Sequence, residues 1–380
     1  MEAPSHQPDT LDREQLQAQA SKLASQLLEL QEQLDSTGLR RNALFLITNE
    51  VSYRFFIEQE NISWSDAEMD FIADIPHYNN AKPLTKRQMD LLLSFFLIAE
   101  GVVSRNIIFK PLLECSSFED MCFLITQVKQ ELIHAHVYNL YGLSFAQSLD
   151  KFEQLIQMTK DEPALAAKLK FMEDWMKSER KKYERNFASA CAEGIFFTNL
   201  FAIIFFWKSK GLFPNFVFAN GMIFRDETIH RDYFLTLVKN EIAELLMKIS
   251  DLAERQRVAA EIEREIRVIL GRAVTVADLF SETLAAEPDE DLTAENLKSF
   301  TRLIADNFLN FLDYKPTYGG KKNFTWLNDM AMEQKANFYE VRVNAYKKGS
   351  AEKLANWKVR TGLIKTSQNV YDNPEDIDGL

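Results

Sequence analysis

The sequence predicts an all-α protein built around a four-helix core, and three observations carry that expectation. Gly and Pro supply only 12 and 10 of 380 residues, about half their usual share, so turns are few. Long segments repeat apolar residues with the helical period. Finally, Glu-x-x-His occurs twice, as Glu131 with His134 and Glu227 with His230, while Glu100 and Glu193 each stand alone in apolar helical sequence. A spacing of three turns a helix by only about 60° from its start, so each Glu and His share a face. Two helices giving one Glu each and two giving Glu-x-x-His form the ligand set of a dimetal carboxylate centre in a four-helix bundle.

Composition narrows the function classes. A net charge of −12 argues against nucleic acid, whose phosphates need a basic surface. Cys115, Cys122 and Cys191 form no even framework, which favours a reducing, cytoplasmic setting. The polar, acidic start does not resemble a signal peptide. The most apolar run, Ile195 to Trp207, falls short of the roughly 20 residues a membrane span needs and is expected to be a buried helix.

Along the chain, residues 1–40 form an N-terminal extension. Within it Leu16, Ala20, Leu23, Leu27, Leu30 and Leu34 make a coiled-coil-like seam, suited to lying on the body or to self-association. Ser65 and Glu68 have the spacing of a capping box just after Trp64. A helix from about Thr85 to Ile108 is apolar on most sides and carries Glu100, a costly placement unless the carboxylate is paired or metal-bound. The helix from about Ser117 to Tyr141 places Glu131, His134 and Tyr138 on one stripe and His136 well off it. A charged helical pair breaks at Asp161-Glu162-Pro163. Glu193 then opens an apolar helix with Phe197 and Phe201 on its face, stopped by Gly211 and Pro214. The helix from about Asn215 to Glu241 holds Ile223, Asp226, Glu227 and His230. Scaffold helices fill 242–312, a turn falls at Tyr318-Gly319-Gly320, and a last helical stretch covers Phe324 to Lys347. Residues 348–380 read as a flexible tail, acidic at its end.

Four buried carboxylates without counter-charge would repel one another, and two divalent cations would neutralise them. Oxygen and imidazole ligands suit iron or manganese better than thiolate-seeking metals. Six ligands over two ions leave positions for dioxygen. Tyr138, one turn past His134, fits a core tyrosine as well as a redox one, and Phe197, Phe201 and Ile223 can wrap it in an apolar pocket.

In combination these motifs resemble the small, radical-generating subunit of class I ribonucleotide reductase over about residues 43–347. They are Trp64-Ser65-Asp66-Ala67-Glu68-Met69-Asp70, Ala99-Glu100-Gly101, Glu131-x-x-His134-x-x-x-Tyr138, Glu193-Gly194-Ile195-Phe196-Phe197, Arg225-Asp226-Glu227-x-x-His230 and Asn337-Phe338-Tyr339-Glu340-Val341-Arg342-Val343. The resemblance implies a ferritin-like helical bundle with additional helices around the dimetal core, spanning 41–347. It implies that the centre reacts with dioxygen and generates a radical, on Tyr138 or on the metals. That equivalent is passed to a large subunit on another chain, which reduces ribonucleotides to deoxyribonucleotides. Trp64 and Asp226 would connect to His134 as the internal transfer chain. Tyr346, or else Tyr371, would be the interface tyrosine, and the tail ending in Ile377 and Leu380 would dock the large subunit. A homodimer is also implied.

Two features depart from the family pattern. Glu100 stands where most members have Asp, and the subgroup with Glu there replaces the radical tyrosine and is associated with a manganese–iron centre. This chain keeps Tyr138, so Fe/Fe is the expected pair, with Mn/Fe and Mn/Mn left open. The stretch 348–370 is also longer than usual. The alternatives are a stand-alone ferritin-like dimetal oxidase and a non-catalytic relic that acts as a binding module.

Overall fold

The structure, a computed structural model, describes residues 47–321 apart from 116 and 291, together with Phe324 and Trp326. The N-terminal seam, the segment after Trp326 with Tyr346, and the tail with Tyr371, Ile377 and Leu380 lie outside the described residues. Among those described, the fold is helical throughout, with one isolated bridge between Asp289 and Leu292.

Helix α1 (Glu50–Asn61) starts where the Asn49 side chain accepts from the Ser52 amide. The expected capping box exists, on a single 3-10 turn, Asp66–Glu68. Ser65 Oγ accepts from the Ala67 amide while Glu68 returns to the Ser65 amide, both at 3.3 Å. After the short α2 (Ile75–Asn80), α3 (Pro83–Phe109) opens on a proline, whose missing N–H costs nothing at that position. The turn α4 (Pro111–Glu114) leads to α5 (Phe118–Ala146), capped by Ser117. Cys115 falls between these helices, not within one.

The charged pair is α6 (Leu149–Asp161) and α7 (Pro163–Met176), divided at Glu162 as its proline requires. Next, α8 (Lys182–Cys191) passes into a five-residue π-turn, Ala192–Phe196, before the helix resumes as α9 (Thr198–Ser209). Sequence pattern predicts an unbroken helix here, because a π-turn inserts one residue without changing which residues are apolar. Then α10 (Pro214–Met247) begins after Phe213, whose φ is 51°. Its first amides find a distant cap: buried Asp74 accepts from Phe216 N at 2.7 Å and Asn215 N at 3.4 Å, favourable for an anion at a helix start. Helices α11 (Leu252–Leu284) and α12 (Ala294–Phe311) pack as an outer pair.

The core four are α3, α5, α10 and the run from α8 through the π-turn into α9. Two stretches, Pro83–Glu114 and Lys182–Ser209, are long and apolar enough to cross a membrane, but most of each is buried inside the protein. Their apolar surfaces already face other helices, at about 1.5–3 kcal/mol per fully buried large side chain.

Candidate metal centre

Each core helix delivers its predicted ligand to one point. Glu100 comes from α3, Glu131 and His134 from α5, Glu193 from the π-turn, and Glu227 and His230 from α10; all six are buried. Their ligand atoms fall into two quartets, each within 4.8 Å. One is Glu100, Glu131, His134 and Glu227; the other is Glu131, Glu193, Glu227 and His230. Glu131 and Glu227 belong to both, the arrangement two bridged ions require.

Whether these residues suit cations is decided by their lone pairs. Both oxygens of Glu100 and of Glu227, one oxygen each of Glu131 and Glu193, and Nδ1 of both histidines are buried without a hydrogen-bond partner. Buried polar atoms are normally paired, so eight orphans converging on one point mark a place for cations. His134 Nδ1 lies 2.9 Å from Glu227 and 3.3 Å from Glu131, and His230 Nδ1 lies 3.0 Å from Glu131. The imidazole nitrogens thus crowd the carboxylates they would share an ion with.

The outer nitrogens fix the rings. His134 Nε2 meets Asp226 Oδ2 at 3.0 Å, and His230 Nε2 meets Gln130 Oε1 at 2.9 Å. Each partner is an acceptor, which puts the proton on Nε2 and leaves Nδ1 free to bind metal. Gln127 Nε2 donates to Glu131 at 3.1 Å and to Glu193 at 3.0 Å, joining two ligands across helices.

Charge divides the four acids into two kinds. Burial first, then the charges of Glu227 and Glu131, pushes Glu100 and Glu193 well above the carboxylate range. Burial also opposes ionisation of Glu131 and Glu227, but the imidazoles outweigh it and hold both below the ordinary value. In return, His134 is raised well above an ordinary histidine and His230 is pushed up to about 9, against the opposing effect of burial.

Beside this cluster, Trp64 Nε1 donates to Asp226 Oδ2 at 2.8 Å, and its ring stacks on His134 with centroids 6.0 Å apart and planes at 19°. His136, set aside on angular grounds, points away to Asp66, 2.6 Å off, on the turn that follows Trp64.

Tyr138 is fully buried and donates to Asn220 Oδ1 at 2.7 Å. It lies face to face with Phe96 (centroids 4.1 Å, planes 2°) and edge-on to Phe216. Burial, followed by the charge of Glu100, drives its phenol well above the usual range. The expected pocket thus needs correcting in part: the rings beside Tyr138 are Phe96 and Phe216, while Phe197 and Phe201 pack behind Phe96 at 5.4 and 6.2 Å. Ile223 is buried one turn beyond Asn220. Asn220, Gln127 and Gln130 were not singled out from sequence; a lone amide in apolar sequence, or one turn before a ligand, was the available signal.

A family model, "Ribonucleotide reductase, small chain", matches residues 41–324. The ribonucleoside-diphosphate reductase small chain of Nicotiana tabacum is 28% identical over 311 residues, covering 80% of this chain and 88% of that one. The Variola virus small chain is 27% identical over 308 residues, covering 81% and 92%. Among solved structures, a ribonucleotide reductase homodimer from Saccharomyces cerevisiae superposes with a TM-score of 0.64 at 20% identity, covering 87% of this chain and 99% of that one. The dimanganese(II) NrdF of Streptococcus sanguinis gives 0.63 at 14% identity, covering 77% and 98%.

Proposed function

This chain belongs to the ribonucleotide reductase small-chain family, and from that premise we propose that its buried cluster holds two metal ions and serves radical generation for ribonucleoside-diphosphate reduction. The observation that carries the reading is the pair of quartets sharing Glu131 and Glu227, with their lone pairs unpartnered. Glu100 and His134 complete one ion's ligands, and Glu193 and His230 the other's. When bound, such a pair supplies dioxygen activation and a strong one-electron oxidant. Iron in both positions suits these hard oxygen and imidazole donors, and Mn/Fe or Mn/Mn are the competing loadings.

The chain's own residues do the rest. Asp226 Oδ2 accepts from both His134 and Trp64 and thereby links the centre to an oxidisable indole. Asn220 holds Tyr138 as the neutral phenol, because a carboxamide accepts a hydrogen bond but does not take the proton. Oxidising Tyr138 must therefore move a proton with the electron. Phe96 and Phe216 cover the ring and Phe197 and Phe201 back Phe96, so water is kept from it.

The partner in this reading is a large catalytic subunit on another chain, reached from Trp64 through Tyr346 or Tyr371 and docked by the tail with Ile377 and Leu380. A homodimer, a cytoplasmic location and the absence of nucleic-acid or membrane binding complete it. The Trp64–Asp226–His134 connection favours this reading over a stand-alone oxidase, which has no use for an exit path, and the intact ligand set favours it over a non-catalytic relic. To test it, the chain is loaded with Fe(II) or Mn(II), exposed to oxygen and assayed with a large subunit. Two metals per chain, an EPR signal altered by Tyr138→Phe, and deoxyribonucleotide formation are expected. A chain that takes up no metal at neutral pH would overturn the reading.

A further inference from the structure

Among the described residues, Lys168 is the one fully buried lysine or arginine. It lies on α7 in sequence that pattern alone would place at the surface, Ala166-Ala167-Lys168-Leu169-Lys170. Its Nζ sits 3.9 Å from the ring centroid of Phe280, 4.7 Å from Phe95 and 5.6 Å from Phe196. Burial alone drives its amine well below the lysine range. Burying such a group costs stability unless it makes a bond nothing else can make.

That bond is to the π-turn. Lys168 Nζ donates to the Phe196 carbonyl at 2.7 Å, and Phe196 is the last residue of the turn that carries Glu193. In a continued α-helix that carbonyl would accept from the Leu200 amide. Here the amides of Leu200 and Phe201 both donate to Phe197 instead, at 3.0 and 2.9 Å. The passage from π back to α frees the Phe196 carbonyl inside the core, and Lys168 takes it up. Amine and ammonium both donate, so the bond survives either charge state.

We propose that Lys168 is a positioning residue for the metal centre: by capping the carbonyl that the π-turn frees, it holds the register in which Glu193 faces Glu131, Glu227 and His230. Relaxing the turn to a plain α-helix would rotate Glu193 by one residue step, about 100°, relative to Phe197 and Phe201. Their side of the helix is fixed by packing on Phe96. The inference rests on the reading of the cluster as a dimetal site.

The test compares the full chain with Lys168→Met and Lys168→Gln, using Mn(II) titration followed by EPR and thermal unfolding without metal. The Met variant removes the donor and keeps the volume. It is expected to melt no lower than the parent, yet to bind its weaker Mn(II) roughly tenfold or more less tightly, the usual effect of removing a group that orients a ligand. Lys168→Gln retains a donor and should recover part of the affinity. A Met variant that binds two Mn(II) as the parent does overturns the proposal. Variants that both fail to fold overturn it too, making Lys168 a residue of general packing. A parent that binds no Mn(II) overturns the dimetal reading and this inference together, whereas failure of the variant comparison alone leaves that reading standing.

Discussion

Trp64 and His134 stack 6.0 Å apart and send their ring N–H groups to one and the same oxygen, Asp226 Oδ2. All three residues are buried, and they come from the loop after α1, from α5 and from α10. In the proposed reading the shared oxygen makes Asp226 both the orienting group for a ligand and the first step away from the centre.

Trp64→Phe separates these two roles. It removes the oxidisable indole with its N–H and leaves the Asp226–His134 bond in place, so metal content and the Tyr138 radical signal should match the parent while turnover with the large subunit falls by orders of magnitude. Asp226→Asn should do more, lowering metal affinity 10–100-fold because His134 loses its anionic support. Metal analysis beside a reductase assay distinguishes the two.

The bond between Tyr138 and Asn220 predicts non-additive stability. Asn220→Leu leaves the phenol O–H buried without an acceptor, at a cost of about 1–3 kcal/mol. Adding Tyr138→Phe removes the orphaned group, so the double variant should be more stable than Asn220→Leu alone. Urea unfolding of all four proteins gives the coupling directly.

Metal uptake should release protons. Glu100 and Glu193 hold theirs because burial and neighbouring acids raise them, and both imidazoles hold theirs against burial. Loading two divalent ions therefore displaces up to four, and affinity should rise as pH climbs through about 9, where His230 titrates. The cation-free chain follows the opposite sign. His230 is raised from 6.5 to about 9, so its contribution to stability is full below pH 6.5 and is lost as pH climbs through 9. Calorimetry in buffers of different ionisation enthalpy counts the protons, and melting curves at several pH values follow the stability.

Gly194 permits a close approach beside Glu193. A Cβ there would fall 2.4 Å from Phe308 Cζ and 2.7 Å from Arg231 Cδ, so Gly194→Ala forces the Phe308 ring and the Arg231 side chain to shift. The expected destabilisation is about 1–3 kcal/mol, with weaker metal binding because the same turn carries Glu193. Thermal unfolding and Mn(II) titration measure both effects.

The six candidate ligands were legible in the sequence because their chemistry is local. Glu131 and His134, or Glu227 and His230, share a face through helical spacing alone, and Glu100 and Glu193 stand out as charges in apolar surroundings. The capping box at Ser65 and the break at Glu162 could likewise be read from neighbouring residues. The π-turn could not, since the residues from Ile195 to Trp207 are apolar whichever register they adopt. Lys168 stayed hidden for the converse reason: its burial depends on where Phe95, Phe196 and Phe280 meet, a fact of tertiary packing. Phe96 and Asn220 became neighbours of Tyr138 only when α3 and α10 were docked against α5.

An anion stands behind one imidazole and a neutral amide behind the other: Asp226 behind His134, Gln130 behind His230. The two halves of the centre are therefore electronically unlike, although their inner ligands nearly mirror each other. Electron density donated through His134 favours the higher oxidation state on its side, so two different metals would sort themselves instead of mixing at random. The molecule has a polarity built in, and its electron-rich pole is the one that faces Trp64.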